Sequence, residues 1–299
     1  WLHEKVSVTG KPASMNLQWI TTAKPRHLTR LWLLSAASVL SACQPQLPET
    51  VRSGLVYCSE GSPESFNPQL VTSGTTIDAI SQQLYDRLLD IAPGSGELVP
   101  GLAQSWQVSD DGLVYQFSLR PDVQFHHTEY FTPSRPLNAD DVVFTFNRIM
   151  LTEHPFHAQG GANYPFFQSV DWASLVSRVS AEGPLLVRFE LNRPDSSFLS
   201  NLATDFAAIL SAEYGQQLQQ SGQLHLMDSQ PIGTGPFRFR EYQKDVLIRY
   251  YRHNQYWREL AKPEQLVFDI VPNNARRMAK LFTHECDVVA FPRIAELEL

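Results

Sequence analysis

The residues best suited to acid–base chemistry are the neighbouring carboxylates Asp140 and Asp141. Two carboxyl groups that face one substrate can act as general acid and general base. Both residues closely follow Asn138, and Asn is a preferred residue at the start of a helix, where the helix dipole also stabilises acidic side chains. Helix capping therefore explains the pair. The sequence predicts a helix after Asn138 and no catalytic residue.

Two histidine pairs raise the question of a metal site. His126 and His127 are adjacent, and His154 lies three positions before His157. A zinc site needs three or four converging ligands, and neither pair has a nearby cysteine or a third histidine. Because both pairs lie in polar stretches, we expect solvated loop histidines. The sequence thus predicts neither a metal site nor a cofactor.

The familiar catalytic and phosphate-binding motifs are missing from the sequence. It contains no G-x-S-x-G nucleophile elbow, no Walker-type loop and no G-x-G-x-x-G stretch. The segment 233–236, Gly-Thr-Gly-Pro, is too short to cradle a phosphate and is predicted to form a turn. The sequence therefore favours a protein that is not an enzyme.

Composition narrows the class of protein further. The 299 residues are 43% hydrophobic and 18% charged, which is typical of a globular protein. A net charge of −7 disfavours nucleic-acid binding, because such binding depends on cations that neutralise phosphates. No apolar run reaches the roughly 18 residues that a membrane span requires.

The amino-terminal region has the layout of a secretory signal. Lys24, Arg26 and Arg30 precede the apolar stretch 31–40, LWLLSAASVL. The following Leu-Ser-Ala-Cys resembles a lipobox, which predicts lipidation of Cys43. A short buried helix is the alternative interpretation of the apolar stretch.

The expected organisation follows from this interpretation. We assign residues 1–43 to upstream residues and a lipoprotein signal peptide, with Met15 as a candidate start, and residues 44–53 to a polar tether.

Strands and helices alternate along the remaining chain, which predicts an α/β fold. A helix follows Thr75, because Thr75 and Asp78 have the spacing of a capping box. A further helix is predicted over Ser196–Leu210, and another begins after Asn273. Alternating apolar residues or short apolar runs predict strands at 54–58, 103–108, 113–119, 185–191, 237–242, 246–251, 266–271 and 286–291.

Several stretches resemble one known family. They are LVYCSEGSPESFNPQLVTSGTTIDA (55–79), LVPGLAQSWQVSDDGLVYQFSLRPDVQFHH (98–127), FTPSRPLNADDVVFTFNRI (131–149), PIGTGPFRF (231–239) and ECDVVAFP (285–292). Together they are similar to the family 5 extracellular solute-binding proteins of peptide ABC transporters, in the dipeptide-binding and Sap-type branch. The resemblance covers approximately residues 54–299.

The resemblance implies a fold of the periplasmic binding protein type (type II, cluster C). In that fold two α/β lobes close on an extended peptide. Residues 54–90 and 211–299 would form the first lobe, and 91–210 would form an additional sub-domain. The second lobe would be largely absent from these residues, together with the carboxylate that holds the peptide's amino terminus in the family.

The resemblance also implies a function and a site. The protein would be a monomer outside the cytoplasm, in the periplasm, held at a membrane by its lipid. It would capture di- or oligopeptides, including cationic or antimicrobial ones, and deliver them to a permease. Thr72, Ser73, Gly74 and Thr75 would meet the ligand, although a plain capped helix also explains them. The alternatives are a haem or nickel ligand within the same family, or a secreted hydrolase.

Two cysteines remain once Cys43 is assigned to lipidation. In the dipeptide-binding branch the residues that correspond to Cys58 and Cys286 form a disulfide, and a secreted protein tends to pair its cysteines. Two buried free thiols are the alternative.

Overall fold

The computed structural model describes residues 53–292. The expected signal peptide, the lipidation site Cys43 and nearly all of the tether lie outside the described residues. In the described part, no helix has both the length and the apolar character needed to cross a membrane.

Strands make up three sheets, and their alternating side chains form much of the core. In β5, Tyr115, Phe117 and Leu119 are buried and alternate with partly exposed residues, as period-two geometry requires. The strands are β1 (Gly54–Ser59), β2 (Leu89–Ile91), β3 (Leu98–Pro100), β4 (Ala103–Val108), β5 (Val114–Leu119), β6 (Val176–Gly183), β7 (Leu186–Leu191), β8 (Phe237–Gln243), β9 (Leu247–Arg252), β10 (Gln265–Ile270) and β11 (Val288–Val289).

The largest sheet has the strand order β11-β1-β10-β9-β8. Strand β1 runs parallel to both of its neighbours, β10 and β11, whereas β9 is antiparallel to β10 and to β8. A second sheet of four antiparallel strands has the order β4-β5-β7-β6. Strands β2 and β3 form a separate antiparallel pair. The mixture confirms the predicted α/β class.

Helices pack around these sheets. They are α1 (Gly74–Leu84), α2 (Ala139–Met150), α3 (Pro165–Ser169), α4 (Trp172–Leu175), α5 (Phe198–Asn201), α6 (Ala212–Ser221) and α7 (Asn274–Phe282). The predicted helix over Ser196–Leu210 is wrong: it is reduced to α5 and a short 3-10 turn at Asp205–Ala207.

The carboxylates Asp140 and Asp141 cap helix α2, as predicted. The Asn138 side chain accepts a hydrogen bond from the Asp140 amide at 3.0 Å, and the Asp141 carboxylate accepts one from the Asn138 amide at 2.9 Å. Asp141 is buried, and it also pairs with Arg135 at 2.7 Å and accepts from the Ala212 amide at 2.8 Å. All its partners are structural, so this carboxylate holds the start of α2 in place.

Aromatic side chains fill the core beside the four-stranded sheet. Trp172 is buried between Phe146 and Phe198, with ring centroids 5.3 and 5.6 Å apart and nearly parallel planes. Phe189 of β7 meets Phe146 edge-on at 5.2 Å. This sheet lies wholly within residues 91–210, the range assigned to the additional sub-domain, and the boundaries of that range stay a prediction.

The loop before β8 packs directly on the end of α1. A Cβ atom at Gly233 would lie 2.0 Å from the Leu84 carbonyl oxygen, and one at Gly235 would lie 2.5 Å from the Leu84 carbonyl carbon. Only glycine permits backbones to approach so closely. The segment 233–236 is therefore a packing element rather than a phosphate-binding loop.

Candidate functional site

The parallel strands bring their carboxyl ends to one edge of the five-stranded sheet. Strands β1, β10 and β11 point the same way, so Glu60, Val271 and Ala290 follow them at this edge. In open α/β sheets ligands bind outside the carboxyl ends of the strands. We call this side of the sheet the carboxyl edge.

Helix α1 begins at the carboxyl edge, although not as the capping box predicted. Its N-cap residue is Ser73, whose side chain makes no capping hydrogen bond. Thr75 lies inside the helix, and its hydroxyl donates a 2.6 Å hydrogen bond to Glu60 Oε1 instead. The Thr75–Asp78 capping box is therefore wrong, because Glu60 takes the Thr75 hydroxyl across the loop that follows β1.

The first turn of α1 is open to a ligand. Its first intrahelical hydrogen bond runs from Ile77 to the Ser73 carbonyl at 3.0 Å, and the amides of Gly74, Thr75 and Thr76 have no hydrogen-bond partner among the described residues. Thr72 and Gly74 are exposed, and a Cβ at Gly74 would meet nothing within 4 Å. A ligand can thus approach these amides closely.

Neighbouring loops hold this turn in position. The Thr76 hydroxyl oxygen, which is buried, accepts a hydrogen bond from the Glu64 amide at 3.0 Å. Ser62 and Asp245 exchange two hydrogen bonds of 2.8 and 2.9 Å, which tie the loop after β1 to the turn between β8 and β9. These hydrogen bonds therefore hold the first turn of α1, with its candidate ligand-binding residues, in place.

Carboxylates surround the same turn. The pKa of Asp78 is raised, first by burial and then by the charges of Asp205 and Glu60. The pKa of Tyr57 is also raised, by burial and then by Asp78 and Glu60. The site therefore combines amide donors at a positive helix end with nearby negative side chains. Such a surface can hold a ligand that carries both acceptors and a cationic or donor group.

A second helix begins at the carboxyl edge, and sequence reasoning did not assign it to the site. Asn273, directly beyond β10, caps α7 by accepting a hydrogen bond from the Arg276 amide at 2.9 Å. The buried Arg277 donates to the carbonyls of Val271 and Pro272 at 2.8 Å each. The sequence contained a signal for this arrangement. A helix-capping residue such as Asn273 soon after a predicted strand is typical of a strand–helix unit in a parallel sheet.

A groove of 610 Å³ lies between the five-stranded sheet and helix α1, where Ile77, Asp78, Gln82 and Gln83 are the α1 residues that line it. Its apolar floor includes Tyr57, Leu266 and Phe268, and Asp78 and Gln82 of α1 form part of its polar wall. The groove therefore adds apolar surface along α1 beyond its first turn.

One prediction about the histidine pairs is wrong. His126 is fully buried, not solvated. Its Nε2 lies 3.0 Å from the Gly235 carbonyl, its Nδ1 accepts from the Gly233 amide at 3.3 Å, and His253 Nδ1 lies 3.1 Å from the same Gly235 carbonyl. Burial keeps the pKa of His126 well below its ordinary value. These rings support the loop before β8.

The other pair is also engaged with protein groups. His157 Nδ1 lies 2.9 Å from the Arg148 carbonyl, and burial lowers the pKa of His154 to about 4. Among residues 53–292, the one cluster of three potential metal ligands is Cys58, Asp269 and Cys286.

The two cysteines that were expected to pair are joined by a disulfide. Cys58 at the end of β1 bonds to Cys286 just before β11, with Cα atoms 5.8 Å apart. Both are buried among Val271, Val56 and Val289. The disulfide links β1 covalently to the segment that precedes β11, close to the carboxyl edge of the sheet.

Taken together, these features define an α/β structure with an open helix start at the carboxyl edge of its largest sheet. Comparison with known proteins gives the family. A family model described as "Bacterial extracellular solute-binding proteins, family 5 Middle" matches residues 97–299. The chain belongs to the bacterial extracellular solute-binding proteins of family 5.

Two curated relatives and one solved structure illustrate the similarity. The chain is 45% identical to the peptide transport periplasmic protein SapA of Salmonella typhimurium, over 89% of this chain and 49% of the relative. It is 47% identical to the dipeptide-binding protein of Escherichia coli, over 81% of this chain and 45% of the relative. A dipeptide-binding protein from Pseudoalteromonas sp. SM9913, solved in complex with Met-Leu, superposes with a TM-score of 0.81 at 50% identity, covering 82% and 48% of the two chains. The chain spans about half the length of the relatives it matches.

Proposed function

We propose that the protein is the extracytoplasmic ligand-capturing component of a peptide ABC transporter. The observation that carries this proposal is the open first turn of α1, with its free amides, at the carboxyl edge of the sheet. The ligands are di- or oligopeptides, and the carboxylates Glu60 and Asp78 favour peptides with cationic groups. The names of the relatives, which refer to peptides and dipeptides, support the same assignment.

The proposed mechanism is capture without covalent chemistry, so the protein is not an enzyme. Peptide carbonyls accept hydrogen bonds from the amides of Gly74, Thr75 and Thr76, in the manner of main-chain recognition of extended peptides. A second lobe then closes over the ligand, and docking on membrane permease subunits releases it.

The energetics explain why a second lobe is needed. Each amide hydrogen bond contributes a net of about 0.5–1.5 kcal/mol in competition with water. Three such bonds hardly offset an association cost of about 4 kcal/mol or more. Additional contacts from a facing surface must therefore supply the affinity.

The remaining assignments are parts of the same proposal. Cys43 carries a lipid that anchors a monomeric protein to a membrane, on the periplasmic side. Residues 54–90 and 211–299 form the first lobe and 91–210 its sub-domain. Thr72, Ser73, Gly74 and Thr75 contact the ligand.

The proposal is tested on the full-length protein purified from cells. Native mass spectrometry identifies any ligand that co-purifies, and calorimetric titration then measures binding of di- and tripeptides with free or acetylated amino termini. We expect peptides with free termini to bind and to raise the melting temperature. Binding of haem or a nickel complex, with no response to any peptide, would contradict the proposal and favour a non-peptide ligand.

Mass spectrometry of the mature amino terminus tests the anchor separately. A protein that begins with a lipid-modified Cys43 is expected, and a mature chain that begins elsewhere would exclude the lipidation.

A further inference from the structure

The disulfide lies beside a third group that can bind metals. Asp269 is the register partner of Cys58 in the pairing of β1 with β10. The Cys58 sulfur is 3.7 Å from Asp269 Oδ2, and the ligand atoms of Cys58, Asp269 and Cys286 all lie within 4.8 Å of one another. Two sulfurs and a carboxylate oxygen thus occupy one small volume.

We propose that the reduced form of this site binds a thiophilic divalent cation, zinc(II) or cadmium(II), through Cys58, Cys286 and Asp269. Thiolate ligands select such cations over calcium and magnesium. Three protein ligands and one water complete a tetrahedron.

The geometry fits this cation. With Zn–S bonds of about 2.3 Å and a Zn–O bond of about 2.1 Å, a tetrahedral site has a sulfur-to-oxygen edge of about 3.6 Å. The observed distance from Cys58 Sγ to Asp269 Oδ2 is 3.7 Å. The sulfur-to-sulfur edge would be about 3.8 Å, so the two sulfurs must move apart after their bond is broken. The Cys286 sulfur, which lies within 4.8 Å of the Asp269 oxygen, must at the same time come to about 3.6 Å from it.

The side chains around the cluster give a cation access to it, and one of them, Lys280, competes with the cation for Asp269. The cysteines are buried, but the side chain of Asp269 is 25% exposed and that of Lys280 is 21% exposed. Lys280 donates a hydrogen bond to Asp269, so the carboxylate is paired with an ammonium group in the oxidised protein. When the cation arrives, Lys280 can turn to Glu285, whose Oε2 is 3.8 Å away.

Binding of the cation requires two steps, reduction of the disulfide and then deprotonation of the two thiols. A dithiol reductant gives two electrons and two protons, the bond between the two sulfurs breaks, and the reductant becomes a cyclic disulfide. Each cysteine thiol then loses its proton to water as a sulfur–metal bond forms, and Asp269 exchanges Lys280 for the cation. The cation replaces the lost covalent link between β1 and the segment before β11.

Titration of the purified full-length protein with cadmium tests the site. The protein is reduced with dithiothreitol, freed of reductant without oxygen, and monitored by the thiolate-to-cadmium charge-transfer band. We expect one cation per reduced chain and none for the oxidised chain. Competition with a chromophoric chelator extends the measurement to zinc.

Three variants separate this site from adventitious binding. Cys286→Ser should weaken binding by about a hundredfold, and Asp269→Asn by about tenfold. Lys280→Met should tighten binding by about twofold to fivefold, because it removes the competing ammonium. Asp110→Asn, at an exposed turn, is the matched control and should leave binding unchanged.

The melting temperature provides a second test, which remains valid if reduction destabilises the protein. Stoichiometric cation should raise the melting temperature of the reduced chain and not that of the oxidised chain. The proposal is overturned if the reduced parent binds no more tightly than Cys286→Ser, or if Asp269→Asn and Lys280→Met both keep the parent affinity. Absence of any cation-dependent rise in melting temperature would overturn it equally.

Discussion

The Thr234 hydroxyl donates a 2.8 Å hydrogen bond to Asp86, which joins the loop before β8 to the segment after α1. The same carboxylate accepts from Trp257 Nε1 at 2.9 Å and from the Tyr256 hydroxyl at 3.1 Å. Asp86 is buried, and burial raises its pKa although the hydrogen bonds from Trp257, Thr234 and Tyr256 and the charge of Arg258 oppose this rise. Two separate segments, the loop before β8 and the stretch 256–257, therefore depend on a single buried acceptor.

We expect Asp86→Asn to lower the free energy of unfolding by about 1–3 kcal/mol, because an amide leaves at least one buried donor without an acceptor. Urea denaturation followed by tryptophan fluorescence measures the change. Asp110→Asn is exposed and should change stability by about 0.5 kcal/mol or less. Equal stability of the two variants would show that the Asp86 contacts contribute little.

The buried histidines predict that stability falls on acidification. The pKa of His126 lies well below 6.5, because burial and then His253 disfavour the imidazolium. Burial likewise lowers the pKa of His253, and it lowers that of His154 to about 4. Above pH 6.5 these rings are neutral in both states. Below it the unfolded chain binds protons that the folded chain does not, so stability is lost as the pH falls toward the folded pKa values.

Each such histidine can contribute a loss of up to about 1.4 kcal/mol per pH unit. Urea denaturation between pH 6.5 and about pH 5 should show a shallower decline for His126→Asn than for the parent. His127→Asn, which removes the exposed neighbouring ring, is the matched control. An unchanged slope in His126→Asn would contradict the assignment of this ring.

The disulfide between Cys58 and Cys286 closes a loop with a sequence separation of 228 residues. In the chain-entropy model this constrains the unfolded state by about 5 kcal/mol, an upper figure. We expect Cys58→Ser with Cys286→Ser to lower the urea midpoint accordingly. Labelling of the denatured, unreduced parent with a thiol reagent should modify neither position, and stoichiometric labelling of both would exclude the bond.

Gly74 offers a direct test of the ligand site. A Cβ there meets nothing within 4 Å, so the fold has room for a larger side chain. We expect Gly74→Val in the full-length protein to weaken peptide binding by about tenfold or more, because the branched side chain covers the free amides. Gly74→Ala is the matched smaller change and should weaken binding less. Calorimetry gives the affinities, and an unchanged affinity in Gly74→Val would remove this turn from the site.

Local patterns predicted much of the fold. The hairpin of β4 and β5 follows from alternating residues such as Tyr115 and Phe117, and the starts of α2 and α7 follow from Asn138 and Asn273. These features depend on interactions between residues close in the sequence. The open start of α1 was found through the resemblance to the family, because its residues alone are typical of a capped helix.

Features set by distant contacts could not be predicted in this way. The helix expected over Ser196–Leu210 breaks where Asp205 accepts hydrogen bonds from Ser81, Gln82 and Arg87. His126 is buried because its partners, Gly233 and Gly235, come from a segment more than a hundred positions away. Strand β6 was missed because two register shifts interrupt its pairing with β7 and weaken the alternation.

The central position of β1 in the five-stranded sheet also affects the order in which the chain can fold. Cys58 and its register partner Asp269 are separated by 211 residues, and β11 comes later still. A ribosome therefore releases β1 long before either of its neighbours has been synthesised. Pairing over such separations is slow, since loop closure must precede the stabilising contacts. During most of synthesis β1 therefore lacks both strands that flank it in the finished sheet, and the five-stranded sheet can be completed only after residues 265–289 have been made.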